Sequence, residues 1–197
     1  MSRFNAEISA GSLMPLESKR VATLLLTHPS EQVWKNAIEV ENILQKNTPS
    51  TARRQSTLIR KRLLTLDDEG WTLICERESE IANQLMLAAA VKHSELLGEF
   101  MRVTYANSQR RLEPALAPLD WEDFLADCAH RDASVATWSS LTKAKLFQGI
   151  IRILVECKFL ESSKTLRLSP RSLHPVVRRY LVERNEKFVL DCLERTT

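Results

Sequence analysis

Glycine is scarce in this sequence, at four of 197 residues. Glycine supplies the tight turns and close backbone approaches on which phosphate-cradling loops depend, and neither a dinucleotide-binding nor a P-loop spacing occurs. HExxH and GxSxG are also missing. The cysteines, Cys75, Cys128, Cys157 and Cys192, are scattered without a CxxC pair, and His28, His93, His130 and His174 are equally dispersed. Metal-ligand spacing is therefore absent, and the thiols read as core residues in a reducing compartment. Aromatic residues make up 6% of the chain and hardly interleave with its cations. That disfavours base stacking on single strands relative to duplex backbone binding. The longest apolar run is LMLAAAV, Leu85 to Val91, far short of the ~20 residues that span a bilayer. The first residues, MSRFNAEISAGSL, carry no basic-then-apolar leader. These absences predict a cytoplasmic protein with no membrane contact, cofactor, metal or small-molecule substrate.

What is present is helical. Leu, Ala, Glu and Arg are abundant, and few β-branched alternations occur. Apolar periodicity and proline positions predict helices over Pro15–Thr27 and Glu31–Lys46, the second capped by Ser30. Thr48 and Pro49 repeat that start signal for a helix running to about Leu66. A short helix is expected over Trp71–Glu76, followed by a long central one over roughly Ser79–Gln109. The prolines of RLEPALAPLD mark a linker or bend, after which Asp120 is expected to cap WEDFLADCAHRD. A helix over Ser140–Cys157, a short hairpin in KFLESSKTLRLS closed by Pro170, and a last helix over Leu173–Glu194 complete the pattern. That order matches a winged helix-turn-helix. The expected organisation is a helical N-terminal bundle over 1–110, a linker over 111–119 and a winged-helix-like unit over 120–197.

Charge is unevenly placed. Residues 1–66 carry 10 basic and 5 acidic groups, 67–139 carry 6 and 14, and 140–197 carry 12 and 6, although the whole chain is only +3. Basic ends around an acidic middle suit a polyanionic partner better than the net value suggests. The acidic clusters at Asp67, Asp68, Glu69 and at Asp120, Glu122, Asp123 fall at helix starts, where they stabilise the dipole. No catalytic role is needed to explain them.

The stretch NTPSTARRQSTLIRKRL, 47–63, holds five cations and no acid. At ~100° per residue, Ala52, Ser56, Ile59, Leu63 and Leu66 share one face. Arg53, Arg54, Thr57, Arg60 and Lys61 occupy the opposite arc, with Arg62 flanking the apolar side and Leu64 interrupting the polar one. No acid lies at i±4 to pair with these cations within the helix. Four of the five are arginines, which grip phosphate oxygens bidentately. Thr48, Ser50 and Thr51 at the helix start could donate further bonds. A second candidate set is Lys145 and Arg152 on the 140–157 helix, with Lys164, Arg167 and Arg171 on the predicted hairpin and just beyond it. That helix is apolar round most of its circumference, so protein docking competes with groove reading there.

The stretches AEISAGSLMPLESKRVATLLL, 6–26, and NILQKNTPSTARRQSTLIRKRL, 42–63, resemble the opening of the BrxA family of BREX bacteriophage-exclusion systems. The resemblance implies a mainly helical fold, similar in part to the RNA-binding antitermination protein NusB. It also implies a non-enzymatic, cytoplasmic protein that binds double-stranded DNA. Such a protein works beside a methyltransferase, an ATPase and other BREX proteins that mark host DNA and block phage replication. A DNA-contact role carries over to Arg53, Arg54, Arg60, Lys61 and Arg62, which lie inside the matching stretch; the later cations rest on charge alone. The competing expectation is a protein-interaction adaptor whose basic stripe meets an acidic subunit instead of DNA.

Overall fold

Local capping chemistry sets most helix starts in this chain. The structure, a computed structural model, describes residues 3–169 and 171–194. It divides into two compact units, Leu13–His93 and Met1–Ser12 with Ser94–Thr197. The proline-rich bend at 111–119 lies inside the second of these.

The first unit is five helices. Helix α1 (Pro15–Leu25) begins with a proline at N1 and ends before His28, whose φ of 46° is left-handed. The residue before a proline avoids the right-handed helical region. Helix α2 (Glu31–Glu39) is capped by the Ser30 hydroxyl, which accepts from the Val33 amide at 3.3 Å. It stops seven residues short of the expected Lys46. Asn42 accepts from the Lys46 amide at 3.0 Å and donates to the Lys46 carbonyl at 2.9 Å, and Asn42 and Gln45 both take positive φ. This side-chain-to-backbone loop competes with helix and wins. Helix α3 (Pro49–Leu63) is capped by Thr48, which accepts from the Thr51 amide. Ala52, Ser56, Ile59 and Leu63 are buried along it, as is Leu66 beyond its end. Asp67 caps α4 (Asp68–Glu76) by accepting from the Gly70 amide at 3.0 Å. Helix α5 (Ser79–His93) is buried without interruption from Gln84 to Val91, so apolar residues all round it meet neighbours on every side.

The long central helix expected to reach Gln109 ends at His93 instead. Ser94 leaves the helical region, and its hydroxyl accepts from the Leu97 amide to cap a new helix, α6 (Glu95–Glu99). The second unit continues with a π-helical stretch over Phe100–Tyr105, α7 (Ala106–Arg110) and α8 (Pro118–Arg131). Asp120 is not the cap of α8. It sits in the first turn, and its carboxylate accepts from the Ala117 amide at 2.6 Å. Helix α9 (Ser140–Glu156) follows, capped by Ser139, then α10 (Pro175–Glu183) and α11 (Lys187–Leu193). The single last helix predicted is therefore two, parted where Asn185 takes φ 55°. A 3-10 turn at Glu7–Ala10 packs on α9. There the Gly149 Cα faces the Ile8 carbonyl closely enough that a β-carbon would lie 3.0 Å from the oxygen.

The expected C-terminal winged-helix unit with a β-hairpin is wrong. Among the described residues there is no strand or sheet; the architecture is a helical bundle. Residues 158–169 make isolated antiparallel bridges only, Leu160 with Leu168, while Arg167 bridges Ala115. Lys158 at φ 60° and Leu166 at φ 51° turn the backbone out of strand geometry. The Ser162 hydroxyl accepts from the Thr165 amide at 3.2 Å and folds the tip into a turn. Pro170, the expected stop, lies outside the described residues.

Candidate nucleic-acid interface

On α3, the face opposite the core presents Arg53, Arg54, Thr57 and Lys61 to solvent. This face begins at a helix start free of acids and ends at a last turn holding Arg60, Lys61 and Arg62. The candidate cations are not equally available. Arg62 is 4% exposed, packed with the core face it flanks. Arg60 is half-buried: its Nη1 donates to the Glu31 carboxylate of α2 at 3.1 Å, and its guanidinium lies over the Trp34 ring, 4.3 Å from the centroid. Arg53 stands 3.8 Å from the Glu39 carboxylate in a looser, exposed pair. Thr57 donates to the Arg53 carbonyl at 2.8 Å. Arg54 is exposed and meets no carboxylate among the described residues. At the helix start, the Thr48 hydroxyl is engaged with the Thr51 amide and hydroxyl.

Absence of acids at i±4 within α3 is accordingly only half of its electrostatics. The neutralising carboxylates come from α2, 14 and 29 residues away in sequence, at helix positions that no spacing rule reads. Glu31 and Trp34 stand three apart on α2, the interval that places two side chains on one helix face. That interval is the one local signal that a cation could be received there.

In the second unit, Lys145 and Arg152 are exposed on α9 at i and i+7, the same side of the helix. Lys164 and Arg167 are exposed in the turn segment, and Arg171 is half-buried. Among the described residues, Lys145, Arg152, Lys164 and Arg167 make no ion pair. The buried side of α9, including Leu146, Ile150, Ile153 and Leu154, matches the broad apolar arc read from the sequence.

The most deeply buried charge is elsewhere. Glu99, 1% exposed, accepts from Arg102 at 2.9 Å and from Arg131 at 2.5 Å. Burial pushes its carboxyl up, but the hydrogen bonds from Arg131 and Arg102 outweigh that and hold it below its ordinary value. A carboxylate held ionised by two guanidinium groups is a structural tie, not a poised acid. Cys128, Cys157 and Cys192 are buried thiols, and burial raises all three, Cys192 to about 12. Cys75 is half-buried beside the Thr23 hydroxyl. Among the described residues no group of His, Cys, Asp and Glu is placed to hold a metal ion, and no helix is long and apolar enough to cross a membrane.

The chain is similar to known proteins along nearly its whole length. The BrxA family model matches residues 2–185. A BREX protein BrxA from Paramagnetospirillum magneticum is 40% identical over 192 residues, covering 98% of this chain and 96% of its own length. A BREX protein BrxA from Escherichia coli is 30% identical over 188 residues, 95% of this chain and 88% of the relative. A crystal structure of an uncharacterized protein from Magnetospirillum magneticum superposes with a TM-score of 0.92 at 38% identity, covering 98% of this chain and all of that one. With the match running through both units at these identities, the chain belongs to the BrxA family.

Proposed function

We propose that this protein is a non-enzymatic component of a BREX bacteriophage-exclusion system that binds double-stranded DNA, chiefly through phosphates. The BREX role is supported by relatives named BREX protein BrxA along nearly the whole chain. DNA binding is supported by a single observation: Arg54, Lys145, Arg152, Lys164 and Arg167 are exposed cations that, among the described residues, have no carboxylate of their own. Cations left without internal partners are free to displace counterions from a nucleic-acid backbone. Arg53, Thr57 and Lys61 flank Arg54 on the exposed side of α3. Arg60 and Arg62 are committed to the protein itself and drop to a supporting role. Other BREX proteins are the expected protein partners.

A mobility-shift titration of a labelled duplex across salt concentrations tests this. Engagement of about five phosphates gives a slope of log K against log[salt] near −4 to −5, at ~0.9 per phosphate. Arg53→Ala with Arg54→Ala, and separately Lys145→Ala with Arg152→Ala, should each weaken binding to all sequences alike and flatten that slope. Unchanged affinity in both folded double variants overturns the assignment. Single-stranded DNA and RNA serve as competitors.

A second reading is favoured by the ties of Arg60 and Arg53 to α2, which reduce the field of the basic stripe. In it the protein is an adaptor that docks other defence subunits without touching DNA. It predicts no retardation of duplex at physiological salt, together with co-purification of BREX proteins.

A further inference from the structure

Within the second unit, α8 and α9 leave a furrow between them. The cavity there measures about 670 Å³, inside the ~300–1,000 Å³ range of binding clefts. Its floor is aromatic: Trp121 of α8 and Phe147 of α9 stack with centroids 5.3 Å apart and planes inclined by 28°. Ala126 and Ala129 line it from α8 and Ala144 from α9, with Leu125 of α8 and with Val135 and Ala136 of the Ala133–Thr137 turn between the two helices. On α8 the lining falls at 118, 121, 122, 125, 126 and 129, and on α9 at 140, 143, 144 and 147. Both follow the 3- and 4-residue spacing of one helix face, so the furrow runs along each helix for about two turns or more. Leu119 and Leu141, each next in sequence to a lining residue, are left 60% and 64% exposed.

The two walls carry opposite charge. Glu122 lines the α8 side and Lys143 the α9 side. Neither makes an ion pair among the described residues, so no bridge closes the furrow between them.

We infer that this furrow receives an amphipathic helix from a protein partner. The helix has an apolar stripe that lies on Trp121 and Phe147, a cationic edge that runs along Glu122, and an acidic edge along Lys143. Small residues in the walls allow helix-to-helix approach, the aromatic floor supplies apolar contact area, and the split charge fixes the direction in which the helix lies. The site is separate from the exposed cations proposed to meet DNA and stands or falls without them.

The test uses the full chain and a fluorescein-labelled, 18-residue synthetic peptide. It is helical, with Leu and Ala on one face, Lys along one edge of that face and Glu along the other. Anisotropy titration should show saturable binding to the wild-type protein. Glu122→Lys or Lys143→Glu should each weaken it by about tenfold, and the double exchange should restore it, because opposite walls then fit the peptide lying in the reverse direction. Ala144→Trp, which fills the furrow, should abolish binding while leaving duplex retardation as in wild type. The charge exchanges lie on the surface and keep the test informative should the Trp variant not fold. Absence of binding at ~1 mM peptide, affinity indifferent to the charge exchanges, or wild-type affinity in a folded Ala144→Trp variant overturns the inference. So does sedimentation showing that a second copy of the chain occupies the furrow.

Discussion

The Arg60 guanidinium lies 4.3 Å from the centroid of the Trp34 ring while its Nη1 donates to Glu31 at 3.1 Å. One turn of α3 is thereby clamped to the start of α2. The contact converts what reads as a free cation into a packing group, and it separates the stripe into an anchored part, Arg60 and Arg62, and an available part around Arg54.

That separation is measurable. A cation–π contact is worth about 0.5–1 kcal/mol at exposed sites, and an exposed ion pair adds about 0–1 kcal/mol. Arg60→Ala should therefore destabilise the fold by roughly 1 kcal/mol in urea denaturation and leave the salt dependence of DNA binding nearly unchanged. Arg54→Ala should do the reverse, with stability within about 0.5 kcal/mol and a salt slope reduced by about 0.9. Equal slopes in the two variants contradict the division.

Periodicity carried the reading of α3 a long way. Ala52, Ser56, Ile59, Leu63 and Leu66 are buried where a 100° wheel places them, and Ser30 and Thr48 cap the helices they precede. These features are local, so the residues themselves determine them. The partners of Arg53 and Arg60 are not local: Glu39 and Glu31 belong to another helix, and only the packing of α2 on α3 brings them near. The hairpin failed for a related reason. Phe159–Leu160 and Leu166–Leu168 have strand-like composition, but positive φ at Lys158 and Leu166 and a Ser162 turn leave isolated bridges where a ladder was expected. Likewise Ser94, in the polar Lys92–Glu95 stretch between two apolar runs, ends a helix because its hydroxyl caps the next. The furrow between α8 and α9 has no sequence signal beyond alanines at helical spacing.

Gly149 offers a second check on packing. Alanine is favoured over glycine inside a helix by about 1 kcal/mol, so on propensity alone Gly149→Ala in α9 should stabilise. Its β-carbon would lie 3.0 Å from the Ile8 carbonyl oxygen, a backbone atom in a turn whose Ile8 side chain is 1% exposed. Overpacking of this kind costs about 1–3 kcal/mol. Gly149→Ala should be net destabilising by roughly 1 kcal/mol, read as a lowered melting temperature. A rise would mean that the Glu7–Ala10 turn yields freely.

The Glu99 tie makes stability depend on acid. Its carboxyl is held below an unperturbed 4.5 in the folded protein, because the hydrogen bonds from Arg131 and Arg102 prevail over burial. A carboxyl depressed by folding binds its proton more readily when unfolded, so its contribution is complete above the unfolded value and is lost as pH falls through the folded one. Glu17, depressed in the same sense by Lys46 against its own burial, adds to the effect. Stability should thus decline below about pH 4.5. Glu99→Gln, which keeps the shape and one acceptor oxygen but removes the charge and turns an NH2 donor toward one of the two guanidinium groups, should cost about 3 kcal/mol at neutral pH, near the lower end for breaking a buried pair because both arginines reach solvent. It should also shrink, without abolishing, the loss between pH 4.5 and pH 3, since Glu17 remains. Urea denaturation of both proteins across that range decides it: parallel pH curves would show that Glu99 is not the titrating tie.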